Sequence, residues 1–207
     1  MLTMAREGIP YIVVPLLLAL LAFALGYWPL GLLFLALCGF MAYFFRDPER
    51  EVPRDEHLVV SPADGKITRI SPLSPEEKDS PVVVSIYLSP LDIHINRSPI
   101  VGTITNMSFK KGYFLMATNE KASLVNEQNT LTIQNERLTV VCKQIAGILA
   151  RRIVCWKHVG DHLELGERFG LIKFSSRTDL ILPPTVRIEV REGMRVRGGL
   201  TIIGRIV

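Results

Sequence analysis

The sequence predicts a mainly β domain preceded by an apolar helical hairpin. No charged residue occurs between Glu7 and Arg46, whereas the remainder of the 207-residue chain is rich in charge. After Phe45 short apolar runs alternate with Gly, Pro, Asn and Ser, and no sustained helical period is present. A Gly-punctuated pattern also occurs twice, first in Gly160-Asp161-His162-Leu163-Glu164-Leu165-Gly166-Glu167-Arg168-Phe169. Its second copy is Gly193-Met194-Arg195-Val196-Arg197-Gly198-Gly199-Leu200-Thr201-Ile202.

The uncharged stretch exceeds the roughly 20 apolar residues that cross a bilayer. It is too long and uniform for a cleaved signal peptide and has no clear small-residue cleavage site. Gly26-Tyr27-Trp28-Pro29-Leu30-Gly31 interrupts it with turn formers and interfacial aromatics, predicting two helices near 10–25 and 30–45 rather than one tilted span. Arg6 and Arg46 flank this hairpin, which places both ends on the cytoplasmic face. Whether it spans the bilayer or dips into it is left open. The expected organisation is a membrane hairpin over 1–45, a charged linker over 46–58 broken by Pro48 and Pro53, and a β domain over 59–207.

Within the β domain, Val82–Leu88 is dense in β-branched residues and reads as a buried strand. Further strands are expected at 102–109, 122–125, 130–133, 139–144 and 152–156, with a short helix near 146–150. The repeated pattern sets Leu or Val three residues after its first Gly, the next Gly three further on, and an apolar residue three beyond that. Such glycines suit sharp turns beside inward-facing side chains. The arrangement resembles half of a biotinyl/lipoyl hammerhead, so the resemblance implies a barrel-sandwich.

The net charge of +4 resides on the part after the hairpin. A basic domain tethered to a bilayer faces anionic headgroups. Nucleic acid is the rival partner of basic charge, but no helix-turn-helix, zinc or stacking pattern supports it. Three cysteines, at 38, 142 and 155, form no disulfide framework and suit a reducing compartment. His158 and His162 have Gly160 between them and no third ligand, so no metal site is expected. His57 reads as a linker residue. Walker, dinucleotide and Gly-x-Ser-x-Gly motifs are absent from the sequence.

Four segments carry a sharper signal. In order they are Phe44-Phe45-Arg46-Asp47-Pro48-Glu49-Arg50, Ser61-Pro62-Ala63-Asp64-Gly65-Lys66-Ile67, Leu88-Ser89-Pro90-Leu91-Asp92-Ile93-His94-Ile95-Asn96-Arg97-Ser98-Pro99, and Phe174-Ser175-Ser176-Arg177-Thr178-Asp179. Together they resemble the short, membrane-associated phosphatidylserine decarboxylases, over nearly the whole chain after Phe44.

The resemblance implies a carboxy-lyase that begins as a self-processing proenzyme, cleaved between Ser175 and Ser176. Ser176 becomes a covalent pyruvoyl group, and no exogenous cofactor or metal is required. A serine hydroxyl is a weak nucleophile and needs an adjacent base with an orienting partner. The motifs put His94 in the first role and Asp64 in the second. Asn96, Arg97 and Arg46 are candidates for binding the phosphate or carboxylate of an anionic serine phospholipid. Lys110-Lys111 reads as solvated charge. The headgroup chemistry is the same for a glycerol-ester lipid and an archaeal ether lipid, so both substrates stay open. Exposed strand edges in a small β domain would invite a homodimer.

Ser175 departs from the family's Phe-Gly-Ser pattern. Glycine there permits positive φ and leaves room for the hydroxyl to approach the carbonyl. If the site needs that conformation, a serine adds strain of roughly 1–3 kcal/mol. The chain is therefore expected to persist as an uncleaved or slowly cleaved proenzyme. A membrane-anchored adaptor without catalysis is the alternative, and it leaves the order of the four segments unexplained. A lipoyl or biotinyl carrier would need a lysine at a hairpin tip, which the repeat lacks.

Overall fold

The computed structural model describes all residues except Met1, Thr118, Glu120, Leu149, Ala150, Arg151 and Ser175. The chain divides into two compact units, residues 1–49 and 50–207. In the first, β1 (Leu2–Met4) precedes a 3-10 turn at Arg6–Gly8, then α1 (Ile9–Ala24), α2 (Trp28–Phe44) and β2 (Arg46–Pro48). β1 and β2 pair antiparallel, so part of the expected linker forms a strand. The two helices are those the sequence predicts, with Gly26 at φ +80° in the turn between them. They approach closely at Gly31, where a Cβ would lie 2.4 Å from the ring of Phe23. Their outward faces expose leucines throughout, and the 19 residues Arg6–Ala24 are long and apolar enough to cross a membrane.

The second unit is nearly all β. Its strands are β3 (Leu58–Val60), β4 (Gly65–Pro72), β5 (Val82–Leu88), β6 (Ile95–Arg97) and β7 (Gly102–Lys110). After the short α3 (Ala122–Val125) come β8 (Gln128–Gln134), β9 (Thr139–Ala146), β10 (Ile153–Cys155), β11 (His162–Leu163) and β12 (Arg168–Ile172). The chain ends with β13 (Ser176–Leu182), β14 (Val186–Ile188), β15 (Arg195–Val196) and β16 (Ile202–Ile206). An eight-stranded curled sheet, ordered β11-β7-β8-β9-β13-β5-β4-β15, is flanked by the three-stranded sheets β10-β12-β6 and β14-β16-β3. This is a barrel-sandwich, as the glycine pattern implies. Its core includes Ile67, Ile86, Ile104, Leu131, Leu163, Phe169 and Ile203.

Two local expectations need correction. Residues 122–125 form one turn of helix rather than a strand, because a four-residue apolar run carries no usable period. Ala146 ends β9 instead of opening a helix; residues 149 and 150 of that expected helix lie outside the described residues.

The internal repeat is more extensive than its glycine signature. Gly160 and Gly193 have φ of +95° and +86°, and Gly166 and Gly199 have +70° and +74°. Gly160 donates to Ile104 O as Gly193 donates to Ile67 O, both at 2.8 Å. β11 pairs with β7, and β15 with β4, in matching registers (Leu163 with Gly102, Val196 with Gly65). Ser61 and Ser98 head equivalent Ser-Pro turns, each hydroxyl donating 2.7 Å to the carbonyl two residues on. The two halves are thus hammerheads related by a pseudo-two-fold, and β13 joins them by pairing with β5 on one side and β9 on the other.

Candidate active site

β13 is buried along most of its length, so side chains on both of its faces must be satisfied inside the protein. Successive residues point to opposite faces. On one face Arg177 Nε donates to Asp179 Oδ1 at 2.6 Å and its Nη2 donates to Ser85 Oγ at 2.7 Å. Ser123 Oγ completes this group by donating to Asp179 Oδ2 at 2.7 Å. Ser176 and Thr178 share the opposite face. Thr178 Oγ1 accepts from Asn96 Nδ2 at 3.1 Å, but Ser176 Oγ, fully buried, has no hydrogen-bond partner among the described residues. A buried hydroxyl left in that condition costs about 1–3 kcal/mol, so its retention asks for a functional reason.

His94 is brought to the same region by two connections. Its carbonyl accepts from Ile172 N at 3.2 Å, four residues before Ser176. Asn96, two residues beyond His94, makes the contact with Thr178, two residues beyond Ser176. The imidazole is buried, and its Nδ1 lies 2.9 Å from Asp92 O. A carbonyl can only accept, so Nδ1 carries a proton; in the neutral form of the ring the lone pair is then on Nε2, the tautomer a general base requires.

Asp64 is held differently from the sequence expectation. Its carboxylate receives both Nη1 and Nη2 of Arg50, at 2.6 and 2.8 Å, and the amide of Gly198 at 2.8 Å. Arg50 Nη1 also donates to Gly198 O. The partner of His94 Nδ1 is therefore the backbone of Asp92, whose own carboxylate accepts from Ser89 N at 2.9 Å and pairs with Arg195. The pseudo-two-fold replaces this corner with Val101 and Leu165 in the other half, where they help line a cleft of about 350 Å³ with Val52 and Pro53. The fold repeats, but the carboxylate and its arginine occur once.

The candidate substrate residues are engaged in the protein. Asn96 is fully buried between Thr178 and Gln144, whose Nε2 donates to Asn96 Oδ1 at 2.9 Å. Asn129 Nδ2 extends the chain to Gln144 Oε1 at 2.9 Å. Arg97, also buried, donates from Nη1 to Gly166 O at 3.0 Å. Arg46, in the first unit, donates to Tyr43 O at 2.6 Å and stacks its guanidinium 3.7 Å from the Tyr43 ring centre. Ser175 lies outside the described residues. The residue before it, Phe174, has φ +58°, the one positive φ among the described non-glycine residues. A bulky side chain held there carries strain of about 1–3 kcal/mol, next to the bond expected to break.

Sequence reasoning did not assign roles to Arg50, Gln144, Thr178 or the amide of Gly198. Arg50 closes the first of the four quoted segments, and Thr178 lies in the last. A signal for the second hammerhead was present in Ser61-Pro62-x-x-Gly65 and Ser98-Pro99-x-x-Gly102. The two thiols of the β domain offer no competing nucleophile: burial pushes Cys142 far up, and burial also raises Cys155, so both are protonated at neutral pH.

The Asn129–Gln144–Asn96–Thr178 chain predicts a measurable stability effect. Gln144→Leu leaves Asn96 Oδ1 and Asn129 Nδ2, both of buried residues, without these partners, at about 1–3 kcal/mol each. Urea denaturation should show a loss within the corresponding range; an unchanged midpoint would mean the network is not coupled to folding.

The fold and these buried polar groups define a barrel-sandwich protein with a buried serine at the head of its central strand. The sequence profile described as Phosphatidylserine decarboxylase matches residues 37–204. A phosphatidylserine decarboxylase proenzyme of Solibacter usitatus is 47% identical over 188 residues, covering 89% of each chain. Similarly named proteins of Wolbachia pipientis and Symbiobacterium thermophilum are 42% and 43% identical, spanning 97% and 98% of this chain and 90% and 95% of their own. The chain belongs to the phosphatidylserine decarboxylase family and is a carboxy-lyase.

Proposed function

We propose that this chain is a membrane-anchored proenzyme that cleaves itself before Ser176 and then decarboxylates a serine phospholipid to its ethanolamine counterpart. The observation that carries the reading is the buried Ser176 hydroxyl, without a hydrogen-bond partner among the described residues, on the face that β13 shares with the Asn96–Thr178 contact. Ser176 Oγ attacks the carbonyl of residue 175, its proton passing to His94 Nε2. The peptide C–N bond breaks, leaving an ester to Oγ and a free amine on residue 176. Removal of the α-proton expels residue 175 as a carboxylate. The resulting dehydroalanine tautomerises and takes up water, releasing ammonia and leaving a pyruvoyl group at position 176.

The residues present fit that group: its precursor is fully buried with no competing hydrogen bond among the described residues, at the fixed end of a strand paired on both sides. Once formed, the group supplies the electrophile and electron sink that loss of carbon dioxide requires. His94, its tautomer fixed by Asp92 O, holds the proton delivered to the substrate's α-carbon. The Asp64–Arg50 pair fixes the Ala63-Asp64-Gly65 turn against Gly198 and keeps a negative charge at this corner of the barrel. Asn96 and Arg97 act by holding β6 in place, and Arg46 remains the candidate for contact with the lipid phosphate. The helical hairpin anchors the chain in the bilayer, with the β domain on its cytoplasmic side.

Ser175 makes cleavage slow. Ser175→Gly is expected to convert the single chain into fragments 1–175 and 176–207 on denaturing gels. Mass spectrometry should show the shorter fragment blocked by pyruvoyl. An intact band with full decarboxylase activity would defeat the proposal.

A further inference from the structure

The connection from β7 to β8 displays apolar side chains outward. Tyr113 is 71% exposed, Leu124 69% and Met116 60%, with Phe109 more than half exposed at the end of β7. Large apolar side chains exposed together along one short stretch of chain point to a contact surface. Lysines 110, 111 and 121 accompany it, giving residues 109–126 a sequence charge of +2 (three lysines against Glu120).

The base of this connection is built rather than loose. Asn126 is buried and clamps Leu115, accepting from its amide at 3.0 Å and donating to its carbonyl at 2.9 Å. Tyr113 N donates to Val125 O at 2.8 Å, and Gly112 packs so closely there that a Cβ would lie 2.2 Å from that carbonyl. The polar backbone is thus paired inward while aromatic and aliphatic groups face out, the division an interfacial lipid contact requires. The platform is tied to the site: Asn126 Nδ2 also donates to Ala146 O at 2.7 Å, and Ala146 is the strand partner of Ser176. Ser123 reaches Asp179 on the same strand.

We propose that Phe109, Tyr113, Met116 and Leu124, with lysines 110, 111 and 121, form a second membrane-docking surface that seats on anionic lipid and presents the head of β13 to it. The inference rests on the membrane-anchored reading above but concerns a surface separate from the hairpin. Each lysine is attracted to an anionic leaflet, and the apolar groups enter the headgroup boundary.

The test uses the full chain with Trp28→Phe, Trp156→Phe and Tyr113→Trp, incorporated into phosphatidylcholine vesicles with and without phosphatidylglycerol. A control carries Val159→Trp in place of Tyr113→Trp, at an exposed turn following β10. Brominated acyl chains should quench the tryptophan at 113 several-fold more than that at 159, and phosphatidylglycerol should deepen the effect. Lys110→Glu, Lys111→Glu and Lys121→Glu together should remove that lipid dependence. If the protein floats with vesicles but 113 is quenched no more than 159, this inference fails while the anchor stands. If it does not float, both fail. Protection of 113 that follows protein concentration without bromine quenching would assign the surface to a second copy of the chain and overturn the proposal.

Discussion

Ser176→Ala is expected to leave one uncleaved chain with no decarboxylase activity, and to make that chain more stable than its parent. The first effect follows from loss of the only atom proposed to attack the carbonyl of residue 175. The second follows from the position of that atom, because Ser176 Oγ is buried without a hydrogen-bond partner among the described residues. Replacing it with hydrogen removes an unmet desolvation cost of about 1–3 kcal/mol. β13 keeps its backbone pairing to Leu88 and Ala146 in the variant, so the fold has no reason to change. In the Ser175→Gly background, gels and thermal unfolding would read both outcomes. Continued cleavage before residue 176 would remove the hydroxyl from the mechanism.

His94→Ala, in the same background, is expected to slow self-cleavage by about 10²–10⁴-fold, the usual contribution of a positioned acid or base. Added imidazole should recover part of that rate, since the buried side chain leaves a ring-sized space beside Asp92 O. A purely structural histidine would give no such rescue. Asp64→Asn tests a different element: it weakens the two-pronged pairing with Arg50 while leaving the Nδ1 bond of His94 to the Asp92 backbone intact. Separate effects of these two substitutions on rate would show that the carboxylate and the imidazole are held by independent supports.

The sequence made the architecture legible where physical constraint is local. An uncharged stretch interrupted by Gly-Tyr-Trp-Pro resolves into two helices, and glycines at matched spacing mark the tight turns of both hammerheads. Residues 122–125 escaped because Ala-Ser-Leu-Val is too short to show a period, and its helical turn is set by bonds to residues 119 and 121. The quoted motifs drew attention to Ser176, His94, Asp64 and Asn96 and even contained the partners Arg50 and Thr178, but did not say which residue meets which. Gln144 lies outside every motif and meets Asn96, far from it in the chain, only once the barrel has closed. Sequence spacing carries no record of such contacts. For the same reason, the carbonyl that fixes the His94 tautomer was hidden: every residue has one, and only its placement distinguishes that of Asp92.

The seam formed by β13 has a consequence for what a nick before Ser176 would produce. The short piece from 176 onward would remain stitched to β5 and β9, while β15 and β16 fasten it again to β4 and β3. Losing it would mean tearing out the middle of the largest sheet, so dilution alone should not part the two polypeptides. They would melt together as one body, and the new chain end would stay locked where the old backbone had been.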